Sequence, residues 1–273
     1  KGKFVGLDCE WIYDNDGNLI LTQLSFTIFN GADVAENGFK NTETMTISFP
    51  TGLARNQENN DRFSNYREAM MRKYQDDNPG ADDNKAKKYV DDMMYGPEDN
   101  SLAKNGSTIL ATIKKGDEVT SFEYSGGKAE ALNAVDQEIK KFIGEQKYFI
   151  GYNSKGKGSD YDVIKAAGLV ETLKCITPTA ENGVVHIDGY NDLVTKVISL
   201  AKDINEKPLN QVDQSLATLS RNLLGEKIKD IVNCDTGAHD AEYDTRVLVA
   251  VLFKLYGFDD GAENLQEFVG KNP

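Results

Sequence analysis

Gly237-Ala238-His239-Asp240-Ala241-Glu242-Tyr243-Asp244 opens an amphipathic helix that carries a carboxylate where a hydrocarbon belongs. Val247, Leu248, Val251, Leu252 and Leu255 follow at helical spacing as an apolar stripe. Asp244 lies one turn before Val247 and Leu248, so it points inward with them, where an unpaired carboxylate is very costly. A bound cation would compensate it. In one continuous helix His239 would stand roughly 140° away from Asp244. The histidine is therefore expected at the helix mouth, with Asp240 as N-cap.

Working outward, the other end of the chain supplies Lys3-Phe4-Val5-Gly6-Leu7-Asp8-Cys9-Glu10-Trp11, an apolar run that reads as a strand buried on both faces. Side chains alternate along a strand, so Asp8 and Glu10 share one face and repel unless something positive lies between them. In mid-chain Phe149-Ile150-Gly151-Tyr152-Asn153 reads as a short strand. A Gly/Lys/Ser loop follows it, and then a helix starting near Asp160-Tyr161-Asp162-Val163-Ile164.

These three segments, in this order, resemble the DEDDh branch of the 3′→5′ exonuclease superfamily, which includes DNA-polymerase proofreading subunits, RNase T and oligoribonuclease. Asp8 and Glu10 match its Asp-x-Glu motif, Asn153 with Tyr161-Asp162 its second, and His239, Ala241 and Asp244 its His-x-Ala-x-x-Asp third. The sister branch places Tyr four residues before the last Asp; here Asp240 stands there and His239 precedes it. The likeness runs over roughly residues 3–29, 118–170 and 186–256. Tyr152 departs from the family's His, and Trp11-Ile12-Tyr13 from its Thr-Thr-Gly. The loop Ser154-Lys155-Gly156-Lys157-Gly158-Ser159 lengthens the second motif and makes Asp160 and Asp162 rivals for the third carboxylate. Asp162 is preferred, because it keeps the aromatic-Asp pair whole.

The resemblance implies an α/β chain with a ribonuclease H-like mixed sheet flanked by helices, a single domain over 1–273 with a helical insertion at 51–104. It implies a metal-dependent 3′→5′ exonuclease that releases nucleoside monophosphates from single-stranded DNA or RNA ends. Asp8, Glu10, Asp162 and Asp244 would hold two Mg²⁺ or Mn²⁺, and His239 would take the proton from water. Alternatives are an oligoribonuclease-like activity on short RNA and a non-catalytic nucleic-acid or polymerase-binding module; a polymerase or other replication protein is the implied protein partner. Trp11 and Tyr13 either stack on a terminal base or pack in the core. Asn153, Lys155 and Lys157 are expected to bind substrate beside the cleft, a solvated loop explaining the lysines equally well. His186 reads as an ordinary strand residue.

Composition bounds the rest. With 273 residues and 39% hydrophobic content the chain can bury one sizeable core. Its net charge of −13 argues against coating nucleic acid through bulk electrostatics, although gripping a chain end needs few cations. Three widely spaced cysteines form neither a disulfide framework nor a zinc pattern, and a reducing cytoplasmic compartment is the default expectation. No run is long enough for a transmembrane span, and Lys1-Gly2-Lys3 leads into a strand instead of a signal peptide. The start at Lys1 fits a trimmed chain or a fragment.

Strands are expected at 19–29 and 43–50, a hairpin over 107–124, a helix over Lys128–Ile143, a short strand at 186–188, and helices at about 190–202 and 213–224. Whether 43–50 or 118–124 is the third strand of the implied sheet stays open. Within 51–104, Phe63, Tyr66, Met70, Met71 and Tyr74 make one helical stripe; Ala86, Tyr89, Val90, Met93 and Met94 make another. The segment reads as a helical hairpin on the sheet edge. Alternatively Arg67, Arg72, Lys73, Lys85, Lys87 and Lys88 form a track for a single strand.

Overall fold

The computed structural model describes residues 3–14, 16–96, 108–195, 198 and 201–256. In chain order the strands are β1 (Lys3–Tyr13), β2 (Leu19–Asn30), β3 (Glu43–Ser48), β4 (Ile109–Lys115), β5 (Glu118–Tyr124), β6 (Tyr148–Gly151) and β7 (Val185–Asp188). The helices are α1 (Gly31–Asn37), α2 (Gln57–Arg62), α3 (Ser64–Asp77), α4 (Asp83–Tyr95), α5 (Lys128–Ile143), α6 (Asp160–Ala166), α7 (Val170–Ile176), α8 (Leu216–Leu224), α9 (Ile228–Val232) and α10 (Ala241–Tyr256). The fold is α/β, a seven-stranded mixed sheet in the order β5-β4-β3-β2-β1-β6-β7. β1 to β5 pair antiparallel in sequence order, whereas β6 lies parallel to β1 and β7 parallel to β6.

Strand β1 holds the sheet together because both of its faces are covered. Val5, Leu7 and Cys9 face a core shared with α5, α6 and α7, while Phe4 on the opposite face joins the core built with α8, α9 and α10. Gly6 shares the Phe4 face. A Cβ there would meet Thr245 Cγ2 of α10 at 2.6 Å, so the missing side chain lets α10 lie close against β1. That close approach carries Asp244 to the end of β1 where Asp8 and Glu10 stand.

Residues 43–48 form the strand beside β2, and 118–124 the outer edge, so both candidates for the third strand belong to the sheet. Of the helix expected over 190–202, the described start is a π-helical turn at Gly189–Val194, capped by Asp188, which accepts the N–H groups of Tyr190 and Asn191. Residues 196–197 and 199–200 lie outside the described residues. The second expected helix begins later, at Leu216, because Ser215 accepts Thr218 N–H as its N-cap.

The segment at 51–104 is helical over α2 to α4, and its end at 97–104 lies outside the described residues. Phe63, Val90, Met94 and Tyr95 give it a small core of its own. It does not sit on a sheet edge. Tyr66 Oη accepts Tyr13 N–H at 3.3 Å, and Tyr89 Oη donates to His239 O at 3.4 Å, so α3 and α4 roof the end of β1 and the mouth of α10. Among the described residues no helix is long and apolar enough to cross a membrane.

Candidate active site

Three segments distant in sequence deliver carboxylates to one cleft of about 530 Å³, lined by Asp8, Glu10, Asp160, His239 and Asp244. Strand alternation puts Asp8 and Glu10 side by side, and a bulge between Glu10 and Trp11 breaks the ladder with β2 immediately after them. Asp244 comes from the first turn of α10, whose mouth is closed by Asp240 as expected: its Oδ1 accepts Tyr243 N–H at 3.1 Å. Glu10, His239 and Asp244 present donor atoms within 4.8 Å of one another.

The structure corrects the preferred third carboxylate. Asp160, only 4% exposed, turns to the cleft and accepts Cys9 N–H at 3.2 Å through Oδ1. Asp162 turns away and accepts Gly158 N–H at 2.7 Å, closing its own loop. The reason is register: Ser159 is the N-cap, so Asp160, Val163 and Ile164 form the buried face of α6. Asp162 is left at the third helical position, where a carboxylate serves the helix end.

Electrostatically the site is overloaded. Burial, and then the charges of Asp160, Glu10 and Asp244, raise Asp8 well above the usual carboxylate range. Burial and then Asp244, Asp160 and Asp240 do the same to Glu10, with Lys73 opposing. Burial pushes Asp160 to about 7, against the Cys9 N–H that stabilises its charged form. It also pushes Asp244 to about 7, against the charge and N–H of His239. Asp8, Glu10 and Asp244 keep part of their surface open to the cleft, yet Asp8 Oδ2 is buried without a hydrogen-bond partner. An acceptor-only cluster with an orphaned oxygen fits a hard divalent cation.

This arrangement fixes the sign of a pH effect. Unfolded, these aspartates ionise near pH ~4; folded, Asp160 and Asp244 hold their protons to about 7. The native state binds more protons across that window, so metal-free stability falls as pH rises from about 4 to 7. Melting at pH 8 should therefore come below melting at pH 5, and saturating Mg²⁺ should restore roughly 5–10 °C at pH 8 and far less at pH 5. A metal-free melting temperature that rises over this window would contradict the assignment.

The remaining expected residues divide. Trp11, Tyr13 and Asn153 line the cleft. Lys155 and Lys157 do not: both are exposed, and Lys155 Nζ pairs with Asp192 at 3.4 Å. Asp188 draws that loop away by accepting the N–H groups of Asn153 and Lys155. Most of the cationic set over 51–104 is paired with carboxylates, while Lys85 and Lys87 are exposed. Arg67 is buried against Asp91, Arg72 pairs with Glu68 at 2.7 Å and Lys88 with Asp92 at 2.6 Å. Of that set only Lys73 reaches the cleft, together with Tyr66, Met70, Tyr74 and Tyr89.

Asp77 was missed in the sequence although the signal was there. It continues the Tyr66, Met70, Tyr74 stripe by three residues, a carboxylate on an inward face as at Asp244. Its Oδ2 lies 2.5 Å from His239 Nε2. No protein-family model matches the sequence, and no curated protein matches it.

Proposed function

We propose that this chain is a metal-dependent 3′→5′ exonuclease with a ribonuclease H-like fold, of the kind found in the DEDDh branch, acting on single-stranded nucleic-acid ends. One observation carries the reading: Asp8, Glu10, Asp160 and Asp244 converge from β1, α6 and α10 on one cleft beside His239. Binding modules have no use for a cluster of buried, mutually repelling carboxylates. The sheet order supports the fold reading, with four antiparallel strands leading to β1 and two parallel strands beyond it.

Asp8, Glu10, Asp160 and Asp244 would hold two Mg²⁺ or Mn²⁺. When bound, such ions supply Lewis acidity at the phosphate and stabilise both the attacking and the leaving oxygen of an in-line displacement. His239, at the helix mouth and within the cluster, accepts the proton of the attacking water. The water oxygen bonds to phosphorus, and the bond from phosphorus to the 3′ oxygen of the penultimate nucleotide breaks. The products are a nucleoside 5′-monophosphate and a chain one residue shorter. Trp11, Tyr13, Tyr66 and Tyr74 offer ring faces to unpaired bases, and Lys73 is the cation beside the cluster.

The test uses 5′-labelled single strands of matched DNA and RNA with Mg²⁺. A ladder shortening one nucleotide at a time from the 3′ end supports the proposal; internal cleavage, or no cleavage with either Mg²⁺ or Mn²⁺, sinks it. His239→Ala should lose about 10²–10⁴ in rate, since it removes a general base. Its Mg²⁺-induced melting shift should survive, because the proposed ligands are intact. A wild-type rate in that variant would leave His239 with a structural role only.

A further inference from the structure

The insertion ends on the histidine. Asp77, the last residue of α3, places Oδ2 2.5 Å from His239 Nε2, with both side chains mostly buried. Neighbouring contacts fix the same junction. Asn78 Nδ2 donates to Ala238 O at 3.1 Å, Tyr89 Oη donates to His239 O at 3.4 Å, and Arg221 donates to Asp77 O at 3.0 Å. Gly237 admits this docking, because a Cβ there would meet Asn78 Oδ1 at 2.4 Å. His239 itself is held at φ 71°, a left-handed conformation that is costly for a residue with a side chain. Its N–H is anchored on Asp244 Oδ2 at 3.0 Å. Backbone and ring are thus clamped from opposite sides.

We propose that Asp77 is a positioning residue: it accepts Nε2–H of His239, fixing the ring's orientation and leaving the Nδ1 lone pair to take the proton from water. The insertion then serves the reaction itself by supplying the histidine's partner. A carboxylate only accepts when ionised, so its contact selects the ring tautomer protonated on Nε2. Asp77 is suited to this: burial works against its charge, but the hydrogen bond and charge of His239, with Lys73 3.3 Å away, hold it below the usual carboxylate range. The kinetic consequence rests on the exonuclease reading; the tautomer does not.

Two measurements test it on the whole chain. Only two histidines are present, so ring nitrogen spectra of the ¹⁵N-labelled protein can be assigned with His239→Ala. His239 should be protonated on Nε2 in the wild type and should become a tautomer mixture in Asp77→Ala. A wild-type ring protonated on Nδ1 would overturn the proposal. The second measurement is a double-mutant cycle. Asp77→Ala should lower kcat about 10- to 100-fold with KM nearly unchanged, in the range for groups that orient a functional histidine. In a His239→Ala background the same change should cost less than about twofold, since the only route by which it acts is gone. Equal losses in both backgrounds would mean a purely structural contact and refute the assignment. If the wild type releases no nucleotide, the exonuclease reading fails, while the ring spectra still decide the role of Asp77.

Discussion

Asp8→Asn is expected to lose on the order of 10³ in magnesium-dependent turnover while making the metal-free protein more stable at pH 8. Both effects follow from the same crowding. Asp8 is pushed far above the carboxylate range by burial and by Asp160, Glu10 and Asp244, and its Oδ2 has no partner. An isosteric amide removes one of the repelling charges and offers N–H groups to the carboxylates that remain. The gain should appear as a higher melting temperature without metal. The loss arises because metal ligation contributes several kcal/mol of transition-state stabilisation, and each 1.36 kcal/mol is about a factor of ten. The melting shift produced by Mg²⁺ should shrink in parallel. Retained turnover, or a variant that melts lower than the wild type without metal, would contradict this account.

The second large effect separates two aspartates only two positions apart. Asp160→Asn should lose turnover on the order of 10³, for the same reason as Asp8. Asp162→Asn should stay within about threefold of wild type and cost about 1 kcal/mol of stability, the usual worth of a side chain satisfying an N–H at a helix start. The contrast rests on geometry. Asp160 is buried with its oxygen on Cys9 N–H, whereas Asp162 is spent on Gly158 N–H. Comparing initial rates and melting curves of the two variants decides it. Loss of catalysis in Asp162→Asn with Asp160→Asn active would restore the reading from the motif.

Asp8 and Glu10 were legible because strand alternation alone puts them on one face, and Asp244 because one helical stripe betrays it. Both signals are local. The choice between Asp160 and Asp162 depends on which residue of a six-residue loop caps α6, and periodicity does not reach into a loop. Motif matching favoured the aromatic-Asp pair, yet Tyr161 packs on His186 with rings 4.6 Å apart and donates to Ile176 O, so its own role is structural. Lys155 and Lys157 looked well placed by sequence proximity, but Asp188, on the neighbouring parallel strand, decides where their backbone goes. Asp77 continues the apolar stripe of α3, but its partner is set by how α3 docks on the α10 mouth, a contact spanning 162 positions. Among the strands, the alternation of 43–48 and of 118–124 could not tell which pairs with β2, since a hairpin extends a sheet from either edge.

The most direct measurement of the central claim is the fate of the attacking oxygen. A single turnover on a single-stranded oligonucleotide in H₂¹⁸O, with Mg²⁺, should place one ¹⁸O in the 5′-phosphate of the released mononucleotide and none in the 3′-hydroxyl of the shortened chain. That result means water attacked phosphorus and the bond to the 3′ oxygen broke, as proposed for the cleft of Asp8, Glu10, Asp160, Asp244 and His239. Release of 3′-monophosphates, label in the shortened chain, or no hydrolysis under conditions where Mg²⁺ raises the melting temperature would contradict the account.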